Sequence, residues 1–292
     1  MSKKLIRFDW AIKKLLRDKQ NFAILEGFLS ELLLEDIKIE RILESESNQD
    51  SKDDKFNRVD ILTQNSKKEL IVVEIQNTYE IDYFQRMAYG ASKALTENLG
   101  LGKSYLHIKK IISVNIVYFD LGQGKDYVYK GLTTFEGLHK KDILQLSSKQ
   151  QATFNKTKVA DIFPEYYIIK VGQFKGKTKD HLDEWIYFLK NSEIKDEFKA
   201  KGLAEAKEVL DIMRLNTEQQ YGYNRYLDYL HYKASEIFSL QMEAEERVRQ
   251  DERLNRNIEI AKNMLVDNET NEKIAKYTGL SLEQIQELRN EK

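Results

Sequence analysis

Asp60 and Glu74 are two acidic residues that the sequence places at one end of a predicted β-hairpin. Apolar and β-branched residues stand on both sides of a polar break at 65–68. Two such runs separated by a short polar break are typical of a hairpin. The apolar positions are Val59, Ile61 and Leu62 before the break, and Leu70, Ile71, Val72 and Val73 after it.

The register of this hairpin decides whether the two carboxylates meet. If Gln64 pairs with Leu70, Asp60 stands directly opposite Glu74, and opposed side chains lie about 4.5–5.5 Å apart. Two carboxylates so close repel each other unless a cation lies between them. Oxygen-only ligands favour Mg²⁺ or Mn²⁺. The sequence therefore predicts a site for one of these metals at Asp60 and Glu74.

The residues around these acids resemble the PD-(D/E)XK nuclease superfamily, and within it the nuclease family transposases, also called Rpn recombination-promoting nucleases. The superfamily pattern is an acid at the end of one strand and Glu-x-Lys on the next. Asp60 and Glu74 match the acids, and Gln76 stands where lysine is usual, within a VEIQN segment at 73–77. The resemblance implies that Asp60, Glu74 and Gln76 are catalytic and that the two acids hold the metal. Because an amide carries no positive charge, Gln76 would orient a water molecule or complete the metal shell.

A second matching segment, Tyr-Phe-Gln-Arg-Met-Ala-Tyr at 83–89, resembles the family's helix after the motif, which carries an arginine and a tyrosine. The resemblance implies that Arg86 binds the scissile phosphate through its planar guanidinium, with Tyr89 as an accessory residue. An ion pair between Arg86 and Glu74 or a neighbouring acid is an alternative role, and the two roles are compatible.

The segment 9–16 resembles the family's opening D-x-x-F-K element. Asp9 and Lys13 match it, while Ile12 replaces the aromatic residue. Two roles for Asp9 are open: it helps to hold the metal, or it caps the first helix. Asp9 and Lys13 are thus further accessory candidates.

Periodicity predicts the elements that position these residues. The predicted helices are Phe8 to Leu16, Asn21 to Leu34, Ile81 to Leu99 and His181 to Leu189, and the predicted strands besides the hairpin are Ile37 to Ile42, Lys110 to Phe119, Tyr127 to Thr133 and Glu165 to Val171. With the resemblance, they imply an α/β (α+β) fold. Its restriction-endonuclease-like core would hold a mixed, mostly antiparallel sheet flanked by helices, followed by a helical C-terminal tail.

Three domains follow from this organisation: a nuclease-like domain over 1–190, a helical extension over 191–266 and a helix-turn-helix-like segment over 267–292. The extension reads as polar helices over 203–215, 217–240 and 242–266. In the last segment Ala275, Gly279 and Ile285 fit a helix-turn-helix. Its second helix is acidic, so a structural helix pair is the alternative to a DNA reader. The polar helices are also candidates for a homo-oligomer contact.

Composition narrows the class of protein. The 292 residues include no cysteine, and the four histidines have no ligand spacing, which argues against thiolate or imidazole metal sites. A net charge of −1 argues against strong non-specific nucleic-acid binding by the chain as a whole. No apolar run is long enough to span a membrane, and the N-terminus lacks a signal-peptide core. We expect a cytoplasmic protein.

Together these features predict an Mg²⁺-dependent endodeoxyribonuclease that hydrolyses DNA phosphodiester bonds, of the transposase or recombination-promoting type. Two alternatives on the same fold are open: a catalytically inactive DNA-binding or assembly module, and an RNase.

Overall fold

A six-stranded mixed sheet organises the first 220 residues. In the computed structural model, which describes residues 5–16, 18–43, 60–99, 102 and 104–290, the strand order is β1-β2-β3-β4-β6-β5. The strands are β1 Ile39–Leu43, β2 Ile61–Asn65, β3 Leu70–Gln76, β4 Ile111–Val117, β5 Val128–Gly131 and β6 Glu165–Lys170. The pairings β3–β4 and β4–β6 are parallel, and the other three are antiparallel. This confirms the predicted mixed, mostly antiparallel sheet.

Helices flank the sheet and follow it in the chain, as predicted. They are α1 Phe8–Lys14, α2 Phe22–Leu33, α3 Tyr83–Glu97, α4 Ser148–Phe154, α5 His181–Asn191, α6 Leu203–Val209, α7 Thr217–Val266, α8 Asn271–Thr278 and α9 Leu282–Asn290. No helix in the described ranges is both long and apolar enough to cross a membrane.

The chain divides into two compact units, Met1–Gln220 and Tyr221–Lys292. The first holds the sheet, and the second is helical. The finer division into 1–190, 191–266 and 267–292 stays a prediction.

The β2–β3 hairpin has the predicted register, with Gln64 opposite Leu70. The polar break closes it: the Asn65 side chain accepts a hydrogen bond from the Glu69 N–H at 2.9 Å, and Lys68 adopts a φ of 65°. The hairpin pairing ends at Ile61 and Val73. β3 therefore runs on past its partner, and its last residues lie at the end of the sheet where Asp60 enters β2.

Helix α3 covers one face of this part of the sheet. Ala91 and Ala94 pack with Leu70 and Val72 in one buried cluster. Because side chains alternate along a strand, Glu74 shares the face of Leu70 and Val72. The first turns of α3 therefore pass over Glu74.

Helices α1, α2 and α5 share an aromatic core that fixes the N-terminal segment. Phe28 lies 5.5 Å from Trp185, and Phe8 lies 6.1 Å from Phe188, between ring centroids. Edge-to-face contacts at such distances are favourable beyond the burial itself. The core holds α1 and the residues just before it in a defined place.

Gly27 on α2 allows the closest approach in this region. A Cβ atom there would lie 2.2 Å from the backbone oxygen of Lys201, and the next residue, Gly202, has a φ of 83°. A side chain at Gly27 would push α2 away from the start of α6.

Helix α7 is continuous, so the predicted break between 240 and 242 is wrong. The residues there, Leu240, Gln241 and Met242, all favour a helix, and neither glycine nor proline interrupts the run.

At the C-terminus the predicted helix pair is present. Gly279 has the left-handed φ of 71° that ends α8, and the Ser281 hydroxyl accepts from the Gln284 N–H at 3.1 Å to cap α9. Ile285 is fully buried with Ile274 in a small core. A DNA-reading role for the pair stays a prediction.

Candidate active site

Asp60 is fastened to the end of β3 by its side chain. Its Oδ2 accepts a hydrogen bond from the backbone N–H of Ile75 at 2.7 Å. The backbone pairing of β2 with β3 ends at Ile61 and Val73. The Asp60 carboxylate therefore accepts from a backbone N–H of β3 that lies beyond the paired residues. This places the Asp60 carboxylate beside the stretch of β3 that carries Glu74.

Glu74 is buried, with 5 % of its surface exposed, on the face that α3 covers. Its Oε2 lies 3.4 Å from the Nε of Arg86, which lies in the first turns of α3. In the parallel pairing Glu74 stands next to Asn115 of β4. The ion-pair role predicted for Arg86 is therefore observed, and its phosphate-binding role stays a prediction.

Glu80 links Gln76 and Arg86, and no sequence pattern had singled it out. Its carboxylate accepts from Gln76 Nε2 at 2.6 Å and from Arg86 Nη1 at 2.8 and 3.0 Å. A carboxylate only accepts, so Gln76 must present its NH₂ group to Glu80. The acceptor oxygen Oε1 is then the Gln76 atom suited to a metal or a water molecule.

Arg86 is held between two acids but is not saturated by them. Its Nε is buried and has no hydrogen-bond partner among the described residues. Burial alone lowers the pKa of Arg86, but the charges of Glu74 and Glu80 outweigh it and raise the pKa above its ordinary value. Arg86 is thus a fixed cation at the carboxyl end of β3.

Tyr83 lies close to the charged side chains of Glu74 and Arg86. It is fully buried, and its hydroxyl lies 3.4 Å from Asn115 Oδ1. Burial, and then the charge of Glu74, raise the pKa of Tyr83 well above its usual range, so the phenol stays protonated. Asn115 is itself fixed by its donation to Ser113 Oγ at 2.9 Å.

Asp9 lies in a second cluster at the end of β3. Its Oδ2 accepts from Arg7 Nη2 at 2.7 Å and from Asn77 Nδ2 at 2.9 Å, and its Oδ1 accepts from the Trp10 N–H at 2.9 Å. The N-cap of α1 is Arg7, so the interpretation of Asp9 as the cap is wrong. The Asp9 carboxylate instead anchors the residue after Gln76.

The remaining accessory candidates are Tyr89 and Lys13. Tyr89 is 45 % exposed on α3, and the tyrosine over the acids is Tyr83. The side chain of Lys13, and the stretch 44–59 with Arg58 and Val59, lie outside the described residues. Glu80, Tyr83 and Asn115 were missed. A faint signal existed for Asn115, a polar residue inside the apolar run of β4.

The donor set fits a small hard cation. Within the described residues no three acidic or histidine side chains form a metal-binding group. Mg²⁺, however, is commonly held by one or two carboxylates, with water and substrate phosphate completing its shell. Asp60 and Glu74 supply two carboxylates, and Gln76 supplies an amide oxygen.

Comparison with known proteins adds one finding. The sequence profile of the family described as PD-(D/E)XK nuclease family transposase matches residues 6–240. No curated protein and no solved structure matches the chain. The match covers α1 through the sheet and into α7, and it confirms the family resemblance read from the sequence.

Proposed function

The chain belongs to the PD-(D/E)XK nuclease family transposases, and we propose that it is an Mg²⁺- or Mn²⁺-dependent endonuclease that hydrolyses DNA phosphodiester bonds. The observation that supports this proposal is the hydrogen bond that ties Asp60 to β3 one residue after Glu74. Asp60 is tied to the Ile75 N–H, and Glu74 is buried on the adjoining position.

Asp60 and Glu74 would hold the metal, with Gln76 Oε1 as a further oxygen ligand or as the acceptor that orients a water molecule. A bound divalent cation polarises the phosphate and lowers the pKa of the attacking water. Gln76 cannot supply the positive charge of the usual lysine, so in this chain the cation beside the phosphate would be Arg86.

Arg86 would bind the scissile phosphate through its guanidinium. Its Nη1 is engaged by Glu80, and its Nε faces Glu74 at 3.4 Å. A phosphate and a carboxylate make the same kind of bond to a guanidinium. Glu80 therefore holds Arg86 and Gln76 in place before substrate arrives, and the phosphate would compete with Glu80 for Arg86.

The test is cleavage of supercoiled plasmid DNA in Mg²⁺ by the parent protein and by Asp60→Asn and Glu74→Gln. Each variant should lose at least about 100-fold in rate, a size common for groups that stabilise transition-state charge. Calorimetric titration with Mn²⁺ should show weaker binding in both. Glu97→Gln, on the far end of α3 and paired with Lys93 at 3.6 Å, is the matched control.

Three results would contradict the proposal. Full cleavage by both acid variants would remove the assigned site. DNA binding by the parent without cleavage, and without Mn²⁺ binding, would indicate an inactive DNA-binding or assembly module. Cleavage of RNA alone would indicate an RNase.

A further inference from the structure

Three large apolar side chains lie exposed on either side of Glu80, between the end of β3 and the first turn of α3. Tyr79 is 54 % exposed, Ile81 is 81 % exposed and Phe84 is 49 % exposed. Single exposed apolar residues are ordinary on a protein surface, whereas a group of large ones is a feature of binding surfaces. These three residues are called the apolar platform below.

The chain itself places the apolar platform beside the proposed phosphate site. Tyr79 and Ile81 are the two neighbours of Glu80 in sequence, and consecutive Cα atoms lie about 3.8 Å apart. The Glu80 carboxylate accepts from Arg86 Nη1 at 2.8 Å. Phe84 precedes Arg86 by two residues in α3. A DNA strand whose phosphate is bound at Arg86 therefore has its neighbouring nucleotides within reach of the apolar platform.

The Tyr79 ring is held in place by a row of aromatic rings. The Phe119 centroid lies 5.6 Å from that of Tyr79 and 5.6 Å from that of Tyr83, and both pairs are edge-to-face. Such pairs are favourable beyond the burial itself. Because Tyr83 is fully buried, the row is anchored in the core. The Tyr79 ring is thus fixed, although more than half of this side chain stays exposed.

The Phe84 ring lies against the backbone that follows β4. A Cβ atom on Gly122 would lie 3.4 Å from the Phe84 ring. The buried Lys170 of β6 fastens this backbone, because its Nζ donates to the Gly122 carbonyl at 3.2 Å and lies 2.9 Å from Asp120 Oδ1. Phe119 and Gly122 belong to the same stretch of chain, so both exposed rings of the apolar platform rest on one support.

Exposed aromatic rings that are already held in place suit nucleic-acid bases. Every base has a flat π face, so stacking on an aromatic side chain does not depend on sequence. A ring that is fixed before binding loses little conformational entropy when a base stacks on it. In a paired duplex the neighbouring bases cover both faces of each base, so only an unpaired or unstacked base can reach a protein ring.

We infer that the apolar platform binds unpaired bases of the strand whose phosphate is held at Arg86. The substrate class is then DNA with unpaired bases beside the scissile bond. This inference rests on the proposed function, which supplies the strand and fixes the place of its phosphate. The net charge of −1 agrees with it, because a chain without excess cations gains little affinity from duplex phosphates and depends more on stacking.

Binding to two matched DNAs tests the substrate class. One is a labelled duplex, and the other carries the same labelled strand with a central bubble of mismatched bases. Fluorescence anisotropy is recorded in Ca²⁺, which takes oxygen ligands as Mg²⁺ does. The parent protein should bind the bubble at least about tenfold more tightly than the duplex, because two rings each stack on a base.

Loss of either ring should remove most of this preference. Tyr79→Ala and Phe84→Ala should each weaken binding to the bubble at least about fivefold and binding to the duplex by less than about twofold. Tyr105→Ala is the matched control, because Tyr105 is 82 % exposed and precedes β4, at the opposite end of the sheet. This control should bind both DNAs as the parent does.

An added indole reports stacking directly. The two tryptophans of the chain, Trp10 and Trp185, are both buried. Tyr79→Trp should keep the preference for the bubble, and bubble DNA should quench the fluorescence of the added indole more than the duplex does. Tyr79→Leu keeps an apolar side chain but has no ring, so it should lose the preference as Tyr79→Ala does.

Several outcomes would overturn the inference. Equal affinity of the parent for the two DNAs would do so, as would Tyr79 and Phe84 variants that bind the bubble as the parent does, and neither result touches the cleavage test of Asp60 and Glu74. Dimers of the parent that Tyr79→Ala dissociates would show that the apolar platform is a contact between copies instead. Binding of neither DNA would overturn this inference and the proposed function together.

Discussion

Two buried glutamates on the same sheet differ in how closely cations contact them. Glu74, near the end of β3, is 5 % exposed, and Glu165, at the start of β6, is 7 % exposed. Glu165 lies 2.6 Å from the amines of Lys110 and Lys130, and it accepts from the Tyr167 hydroxyl at 2.6 Å. The Arg86 nitrogen nearest to Glu74 lies at 3.4 Å.

The two glutamates differ in how the cations beside them are held, and we propose that Glu165 stabilises the fold while Glu74 serves a ligand. Glu165 makes close, charge-assisted contacts, which are the strong class of hydrogen bond. Arg86 makes its close contacts with Glu80 and faces Glu74 only at a longer distance. A cation or substrate at the end of β3 would therefore change the pairing of Arg86. The lysines beside Glu165 already make close contacts with that carboxylate.

The largest expected effect is on stability. Glu165→Gln should lower the free energy of unfolding by about 1–3 kcal/mol, because the amide carries no charge to pair with the two lysines and keeps only one accepting oxygen. Glu74→Gln should leave it unchanged within about 0.5 kcal/mol or raise it, because a carboxylate is removed from beside Asp60. Urea denaturation of both variants and the parent measures this. Equal losses in the two variants would erase the distinction between the two glutamates.

A smaller effect is expected on DNA affinity when the ion pair between Glu80 and Arg86 is removed. Glu80→Gln should raise DNA affinity in metal-free buffer by about 3–10-fold, roughly 0.7–1.4 kcal/mol, because Arg86 no longer has to leave a carboxylate. Fluorescence anisotropy with a labelled duplex measures it, and Glu97→Gln serves as the control of equal charge change. A fall in affinity would mean that Glu80 positions Arg86 in the bound state too.

The smallest expected effect is the pH dependence of stability. Burial alone would raise the pKa of Glu165, but its bonds to Lys110, Lys130 and Tyr167 lower the pKa to about 2 from an ordinary 4.5. A carboxyl group with a lowered pKa stabilises the fold fully above its unfolded-state pKa, and that contribution is lost as the pH falls toward its folded-state pKa. The stability gap between the parent and Glu165→Gln should therefore narrow as the pH falls from about 4.5 to about 2.

Urea titrations at several pH values, with the exposed Glu205→Gln as control, measure this gap. The control removes an exposed carboxylate, so a change seen only in Glu165→Gln is due to the buried site. A gap that stays constant for Glu165→Gln would show that the lysines do not stabilise the charged form.

The sequence by itself determined the hairpin and its acids. Two apolar runs joined by a short polar break predict a hairpin, and the length of that break limits the registers the two strands can adopt. The pairing of Gln64 with Leu70 followed, and with it the neighbourhood of Asp60 and Glu74. The substitution of Gln76 for lysine was visible as well.

Only the tertiary structure decided which polar groups join those acids. Glu80 lies in the irregular stretch between β3 and α3, where no periodicity fixes the direction of a side chain. Tyr83 and Tyr89 are six residues apart on α3, about 240° around the helix, so only one can face the sheet, and packing against β4 selected Tyr83. Asp9 met Asn77 because the aromatic core holds α1 beside the end of β3, across 68 residues of chain. Contacts between distant elements depend on packing, which local patterns of sequence do not encode.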